Sequence, residues 1–225
     1  MPLRKLPLVE GQIYHIIARG VDSMSIFKNE YEFQRFTKTF VYYQHSKFPL
    51  RFSYYLRLTK ERKETLLNSL KTENKTWVNI LAYALIPNHY HFLVRQILPE
   101  GITNFYRLIN NSYSKYFNIL HKRKGPVFEN RFRAVMIESE PQLLHTSRYI
   151  HLNPYSSFMV QSREELIGYP YSSLGEYAGG VNSGICDTGS ILSLFKTKEE
   201  YLDFVFNNAD YQRNLDVIKH QLDED

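Results

Sequence analysis

Apolar residues follow two different periods along the first two thirds of the chain. Residues 11–20 alternate between apolar and polar side chains and are rich in β-branched residues, which predicts a strand that ends at Gly20. Residues 29–47 instead place aromatic side chains at intervals of three and four, which predicts a helix with Asn29 as its N-cap. The chain therefore opens with a strand and a helix.

Two strands are predicted after a segment whose structure the sequence leaves open. Residues 48–75 are mostly polar and form either a helix or an elaborated connection. Two apolar runs follow at residues 76–86 and 90–97, and each predicts a strand. Pro87 and Asn88, which lie between the runs, suit a tight connection.

A second helix, a fourth strand and a third helix complete the pattern. Residues 103–121 carry apolar side chains at helical spacing, and residues 132–138 predict a strand. Residues 140–153 predict a helix with Ser139 as its N-cap and Pro154 as the residue that stops it. This order is typical of an α+β fold, a ferredoxin-like split βαβ antiparallel sheet with helices on one face.

The chain changes character beyond Pro154. Glycine, serine and tyrosine become frequent there, and short helical patterns follow. We therefore divide the chain into a domain of residues 1–159 and a C-terminal helical extension of residues 160–225.

The composition indicates a folded protein with a hydrophobic core, because 43% of the 225 residues are hydrophobic. The single cysteine, Cys186, cannot form an intramolecular disulfide. No stretch has the pattern of a signal peptide or the apolar length of a membrane span. We expect a protein of the cytoplasm with no membrane partner.

Positive charge is concentrated in one short segment. The chain has a net charge of +5, which favours a polyanionic partner. Most of this excess lies between residues 121 and 133 and comes from Lys122, Arg123, Lys124, Arg131 and Arg133, which we call the basic run. The basic run is predicted to contact nucleic-acid phosphates, and the alternative is a solvated loop.

Two histidines lie two positions apart in the second strand of the predicted pair. Side chains two apart on a strand point to the same face, so the rings of His89 and His91 are expected to converge. Converging imidazoles bind a divalent metal or, in the simpler interpretation, form a half-buried edge with satisfied hydrogen bonds. The pair alone does not separate these two interpretations.

A third ligand and a nucleophile are offered by the helix predicted at residues 140–153. Tyr149 and Asn153 are four positions apart and so share one helix face, and His145 lies one turn earlier. The amide oxygen of Asn153 would join the two imidazoles as metal ligands and leave positions open for water or a phosphate oxygen. Tyr149 would then lie beside the metal, and His145 is a candidate helper in proton transfer.

Five separated stretches of the sequence agree in order with one known family. They resemble the single-strand tyrosine transposases with an HUH motif, in which two histidines flank one bulky hydrophobic residue, and most closely the REP-associated branch. The stretches are YHIIARG, ALIPNHYHFLV, GPVFENRFRAVMIE, SRYIHLNP and YPYSSLGEY, and the resemblance covers roughly residues 12–178.

The resemblance implies a small nuclease that binds imperfect DNA hairpins, cuts single-stranded DNA near them and forms a 5′-phosphotyrosine. By motif, it implies that His89, His91 and Asn153 bind Mg²⁺ or Mn²⁺ and that Tyr149 is the nucleophile. It also implies a monomer or a homodimer.

Other interpretations of the same residues remain open. A DNA-hairpin-binding regulator that no longer cuts would keep the binding residues, whereas a metal phosphoesterase for small molecules lacks a second cluster of carboxylates and ranks last. Tyr113 and Tyr116 are alternative nucleophiles, although their spacing of three suits packing. His15 and His151 are expected to be structural.

Overall fold

A four-stranded antiparallel sheet forms the centre of the molecule, in a computed structural model that describes residues 7–72, 75–129, 132–181, 183–207 and 209. The strands lie in the order β2-β3-β1-β4. Strands β2 and β3 form a hairpin, whereas the connections from β1 to β2 and from β3 to β4 each cross over one strand. Their bounds are β1 Ile13–Arg19, β2 Val78–Ile86, β3 His89–Gln96 and β4 Arg133–Met136. The predicted α+β fold class is confirmed.

Helices connect and cover the strands. Their bounds are α1 Glu30–Tyr43, α2 Phe52–Tyr55, α3 Lys60–Thr72, α4 Gly101–Leu120, α5 Glu140–Ser156, α6 Arg163–Gly168, α7 Leu174–Tyr177, α8 Gly189–Leu192 and α9 Lys198–Phe206. Both predicted N-caps are confirmed, because the side chains of Asn29 and Ser139 accept hydrogen bonds from the first turns of α1 and α5. The undecided segment 48–75 contains α2 and α3.

The two crossover helices, α1 and α4, lie on one face of the sheet, as predicted. This face carries alternate residues such as Tyr14, Ile16 and Phe92, which pack with aromatic side chains of both helices. The opposite face is covered as well, by α5 and the segment that follows it. Helices therefore lie on both faces of the sheet. This agrees with the sequence of β2, which is apolar at nearly every position and is buried on both sides.

A bulge in β2 increases the apolar area that α5 covers. The register between β2 and β3 shifts between Ile80 and Ala82, so that Leu81 and Ala82 lie opposite the single residue Leu93. All three side chains belong to the core beneath α5. The small side chains of Ala82 and Ala84 allow α5 to pack closely over this half of the sheet.

The C-terminal segment covers the outer edge of β2. Backbone hydrogen bonds join this edge to Tyr171, Ser173 and Asp187. The Ser173 hydroxyl also accepts from the Tyr83 amide at 2.9 Å. Residues from Val160 to Val205 share their core with α5 and β2, so the described part of the predicted extension packs directly on the sheet.

Helix α5 runs two residues beyond the stop predicted at Pro154 and ends at Ser156. Proline removes one backbone donor, and near the end of a helix this leaves only one carbonyl of the preceding turn without its partner. The Ser157 amide donates to the Asn153 carbonyl at 2.9 Å and completes the last turn. Asn153 is therefore a helical residue inside α5 and not its last residue.

No helix in the described part of the chain is both long enough and apolar enough to cross a membrane.

Candidate active site

The candidate site lies on the face of the sheet that α5 covers, which we call the α5 face. Alternation along β3 places His89, His91 and Leu93 on this face, while Tyr90 and Phe92 enter the opposite core. The sequence prediction that the two histidines share a face is confirmed, and their ring centroids are 4.9 Å apart. His91 is buried, and His89 is half-buried.

A third histidine joins the pair from the neighbouring strand. His15 of β1 lies on the α5 face, and its Nε2 is 2.9 Å from Nδ1 of His91. The two rings are stacked with centroids 5.2 Å apart. Nε2 of His91 is buried without a hydrogen-bond partner among the described residues, so the His15 contact leaves this atom free for an external ligand.

His89 is oriented by the turn that precedes it. Its Nδ1 is 2.7 Å from Oδ1 of Asn88, and because that oxygen only accepts, Nδ1 of His89 carries the proton. The lone pair of His89 is then on Nε2. The amide of Gly20, at the end of β1, donates to the Asn88 carbonyl at 2.8 Å and ties this turn to the neighbouring strand.

Gly20 has a steric role at this point. A Cβ atom on residue 20 would lie 2.3 Å from the carbonyl oxygen of Met24, so no other residue fits without a backbone shift. The close approach allows the chain to turn tightly between the end of β1 and Met24.

Tyr149 of α5 reaches the histidines from above the sheet. Its ring centroid lies 5.4 Å from that of His91 and 5.9 Å from that of His15, with both pairs in edge-to-face orientation. The side chain is half-buried. The fold therefore brings together residues from β1, β3 and α5 that are far apart in sequence.

Asn153 lies one helical turn beyond Tyr149 and is only 3% exposed. Helix α5 starts beside Ile13, because the Ile137 amide donates to the Ile13 carbonyl, and Tyr149 then contacts His15 and His91. Continuing in this direction, α5 carries Asn153 toward the end of the strands that holds His89. The Ser157 hydroxyl is 3.5 Å from Oδ1 of Asn153.

His91 and His15 are both in the neutral form at pH 7, which for His91 is the form that metal ligation requires. Burial, followed by the charges of His89, His15 and Arg19, holds the pKa of His91 well below its usual range. Burial also lowers the pKa of His15 to about 4. Both imidazoles are therefore neutral at pH 7, and neutral imidazole is the form that binds metals.

The donor set fits a divalent cation only with an amide among the ligands. The described residues contain no group of three or more His, Cys, Asp or Glu side chains that could hold a metal ion. The unpartnered Nε2 of His91 and the Nε2 lone pair of His89 supply two nitrogen donors. A set of two imidazoles and the Asn153 oxygen is compatible with Mn²⁺ or Mg²⁺ and leaves other positions for substrate or water.

No helix among the described residues covers the half of the α5 face that lies beside this site. Helix α5 packs over β2 and β3, whereas β4 is an edge strand whose residues Arg133 and Val135 are exposed. In the ladder, Ile17 pairs with both His91 and Arg133, so Arg133 lies on the α5 face two strands from His91. Arg19, also exposed, lies directly opposite His89. Cationic side chains thus border the histidines on an open surface.

The basic run lies in the connection between α4 and β4, except for Arg133, which is the first residue of β4. Lys122 and Lys124 are exposed, and the Arg123 guanidinium donates to the Pro126 carbonyl at 2.8 Å. The connection returns to the end of β1, where the Glu129 amide donates to the Arg19 carbonyl at 2.9 Å. Arg131 lies outside the described residues. Phosphate contacts of the basic run remain a prediction.

The other sequence candidates lie away from this cluster. His145 is exposed, its Nδ1 accepts from the Arg148 guanidinium at 2.8 Å, and its ring packs on Phe204 of α9. Tyr113 is buried in the core on the opposite face, where its hydroxyl donates to the Ile26 carbonyl. Tyr116 packs on the same side of the sheet as Tyr113. The helper role of His145 stays a prediction.

His151 is structural, as the sequence predicted. It is buried, its Nδ1 is 2.6 Å from the Tyr201 hydroxyl, and its Nε2 is 2.8 Å from the Ser173 hydroxyl. These contacts connect α5 to α9 and to the segment that covers β2.

Sequence reasoning did not find two residues that border the site. His15 was expected to be structural, but it touches both His91 and Tyr149. Arg19 was not singled out, although it lies opposite His89. Alternation along β1 places both on one face, but only the order of strands in the sheet shows that this face is the one that carries His89 and His91.

Comparison with known proteins supports the fold. No protein family matches the chain, and no curated protein matches it. Among solved structures, a REP-associated tyrosine transposase bound to a REP hairpin is similar, with a TM-score of 0.52, 14% sequence identity, and coverage of 84% of this chain and 89% of that one. The four-stranded sheet and its helices therefore form a transposase-like fold.

Proposed function

We propose that this protein is a transposase-like enzyme that binds DNA hairpins, cuts nearby single-stranded DNA and joins the cut strand to Tyr149. The observation that carries the proposal is the contact of the Tyr149 ring with His91, at 5.4 Å between centroids, on the same face as His89. A nucleophile beside two converging imidazoles is the arrangement that metal-assisted phosphoryl transfer requires. The resemblance of five sequence stretches and the similar fold of a hairpin-bound transposase support the same function.

Tyr149 acts as the nucleophile in this proposal. Its phenol oxygen forms a bond to phosphorus, the bond from phosphorus to the 3′ oxygen breaks, and the phenol proton is lost as the leaving oxygen becomes a 3′-hydroxyl. When bound by His89, His91 and Asn153, a divalent cation would supply Lewis-acid polarisation of the attacked phosphate. The phosphotyrosine conserves the energy of the broken ester, so that the strand can be joined again.

The shape of the site favours a polymer over a small molecule as substrate. The histidines border the uncovered half of the α5 face, next to the exposed side chains Arg19 and Arg133. A cavity of about 630 Å³ is present elsewhere, between α1 and α4 on the opposite side of the sheet. An open, cationic surface suits an extended phosphate backbone, whereas small substrates are usually enclosed.

The test uses single-stranded DNA that contains the hairpins flanking the gene, labelled at the 3′ end. We expect the label to appear on the protein in a denaturing gel when Mn²⁺ is present and to be absent with a chelator. The double variant His89→Ala with His91→Ala should bind the hairpin and leave the DNA uncut. The matched control is His45→Phe, at a buried histidine outside the site, which separates loss of the histidine pair from loss of any buried imidazole.

Each result decides between the function classes. Label on Tyr149 supports the transposase-like enzyme, and tight hairpin binding without cleavage under every metal condition would instead identify a regulator. Cleavage by the double variant in chelator would refute the metal site at His89 and His91.

A further inference from the structure

We propose that His15 is a positioning residue that fixes His91 in the tautomer whose Nε2 atom is free to bind the metal. The inference rests on the proposed function, because it assigns a role to a third histidine of the same site. It goes beyond that function, because the proposed metal ligands are His89, His91 and Asn153, and the proposed function assigns no role to His15. The evidence is the geometry of the three rings.

The contact between His15 and His91 allows two arrangements of protons. In the first, Nδ1 of His91 donates to Nε2 of His15, and Nε2 of His91 presents a lone pair. In the second, His15 donates, and Nε2 of His91 carries a proton that blocks ligation. The observed distance of 2.9 Å is compatible with both, so the surroundings must decide.

The burial of the ring nitrogens favours the first arrangement. In the second arrangement, the N–H group at Nε2 of His91 is a buried donor without an acceptor among the described residues. A buried donor without a partner loses its hydrogen bond to water and gains none in return. In the first arrangement the remaining proton lies on Nδ1 of His15, which is not among the buried atoms that lack a partner.

His89 shows the same device with a different partner. Asn88 accepts from Nδ1 of His89 and so places the lone pair of that ring on Nε2, which is the role His15 plays for His91. A hydrogen bond on the second nitrogen of a ligating histidine is the usual means of fixing its ring orientation and tautomer. The two acceptors differ, because one is an amide oxygen and the other an imidazole nitrogen, but each accepts a hydrogen bond from Nδ1 of a proposed metal ligand.

His15 also contacts the proposed nucleophile. Its ring meets Tyr149 edge to face at 5.9 Å, so one side chain packs against both the ligand and the nucleophile. A substitution that keeps an aromatic ring but removes the acceptor therefore separates the two contributions. His15→Phe keeps the ring, and His15→Gln supplies an acceptor without a ring.

The tautomer is measured directly by ¹⁵N NMR of the metal-free protein at pH 7. We expect the proton of the His91 ring on Nδ1 in the wild type. In His15→Phe, we expect the proton to move to Nε2 or to exchange between the two nitrogens. A wild-type His91 protonated on Nε2 overturns the proposal, and this result does not depend on whether the protein cuts DNA.

Binding of Mn²⁺, followed by its electron paramagnetic resonance signal, is the second readout. We expect His15→Phe to weaken binding about 10–100-fold, in line with the loss of a hydrogen bond to a ligating histidine. His15→Gln should recover part of the affinity. The control is His45→Phe, which removes a buried histidine just beyond the C-terminal end of α1 and should leave Mn²⁺ affinity unchanged.

Equal Mn²⁺ affinity in His15→Phe and wild type overturns the positioning role. If the wild type binds no Mn²⁺, the metal in the proposed function is refuted, and the NMR result alone decides the role of His15. If His15→Phe does not fold, the wild-type tautomer and His15→Gln supply the two readouts.

Discussion

At the scale of single residues, the proposed function makes the Tyr149 hydroxyl the only tyrosine hydroxyl among those discussed above that forms the covalent bond to DNA. Replacing Tyr149 with phenylalanine removes only the hydroxyl and keeps the edge-to-face contact with His91. We expect Tyr149→Phe to bind a DNA hairpin within about twofold of wild type and to lose the covalent adduct entirely. Gel analysis of 3′-labelled DNA, with peptide mass mapping of the adduct, measures both.

The matched control for this prediction is Tyr116→Phe. Tyr116 lies on the side of the sheet away from the histidines and packs against Arg35 at 5.0 Å. We expect cleavage by this variant to stay at the wild-type rate. An adduct that disappears in Tyr116→Phe and persists in Tyr149→Phe would move the nucleophile to α4.

Two buried histidines outside the site make stability depend on pH. Burial lowers the pKa of His45 to about 4 and that of His151 to about 3. The unfolded chain, whose histidines titrate near pH 6.5, therefore binds protons first as the pH falls. The stabilisation is complete above pH 6.5 and is lost progressively below it, by about 1.4 kcal/mol per pH unit for each histidine.

His45→Phe isolates one of these contributions. Both ring nitrogens of His45 are buried without partners among the described residues, so an apolar ring removes two unsatisfied polar atoms. Urea unfolding at pH 7 and pH 5 should show stability at pH 7 equal to or above wild type and a shallower fall between them. A fall as steep as in wild type would mean that His45 is not neutral in the folded protein.

Among single residues, the sequence predicted the shared face of His89 and His91 but not the contact of His15 with His91. Two positions of spacing placed His89 and His91 on one face, because a strand has a strict alternation. His15 lies 76 positions before His91, and no local pattern connects them. Its role became visible only when the pairing of β1 with β3 was known, since strand pairing is a non-local property.

At the scale of elements, α5 depends on small side chains beneath it. Ala84 of β2 pairs with His91, is fully buried and belongs to the core under α5. Ala84→Leu adds volume to a filled space, so we expect a loss of about 1–3 kcal/mol in the free energy of unfolding. We also expect slower cleavage, because α5 carries Tyr149. Denaturant unfolding and single-turnover cleavage measure the two effects.

Val9→Leu is the control for Ala84→Leu. Val9 is 47% exposed and lies in the segment before β1, so a larger side chain there meets solvent. Stability and cleavage should stay at wild-type values. Equal losses in both variants would show that the position of α5 does not limit the reaction.

The elements themselves were predicted to different degrees for physical reasons. The capped helices α1 and α5 were found because Asn29 and Ser139 each precede a periodic apolar pattern. Helix α3 was left undecided because it is largely exposed and lacks a clear apolar stripe. The bulge at Leu81 was not predicted, since an unbroken apolar run gives no sign of which residues share a face.

At the scale of the whole molecule, DNA binding should depend on salt through the basic run. Each phosphate contact with single-stranded DNA contributes about −0.7 to the slope of log affinity against log salt concentration. We expect the double variant Lys122→Gln with Lys124→Gln to flatten this slope by about 1.4. Both side chains are exposed, so the fold should be unaffected. Fluorescence anisotropy over a salt series measures the slope.

Lys60→Gln with Arg62→Gln is the matched control, because it also removes two exposed cations, on α3. The control should keep the wild-type slope. If both double variants flatten the slope equally, the protein attracts DNA by net charge and not through the basic run.

The covered edge of β2 has a consequence for how the protein is made. This edge is closed by Tyr171, Ser173 and Asp187, which lie some 85 residues or more beyond the end of β2 at Ile86. A ribosome that adds about 5–20 residues per second needs roughly 4–17 s to reach Tyr171 and roughly 5–20 s to reach Asp187. Throughout that interval the nascent chain presents an apolar strand with free amides and carbonyls, which is a template for pairing with another nascent chain. Fast translation of this stretch, or a chaperone that shields it, therefore limits aggregation during synthesis.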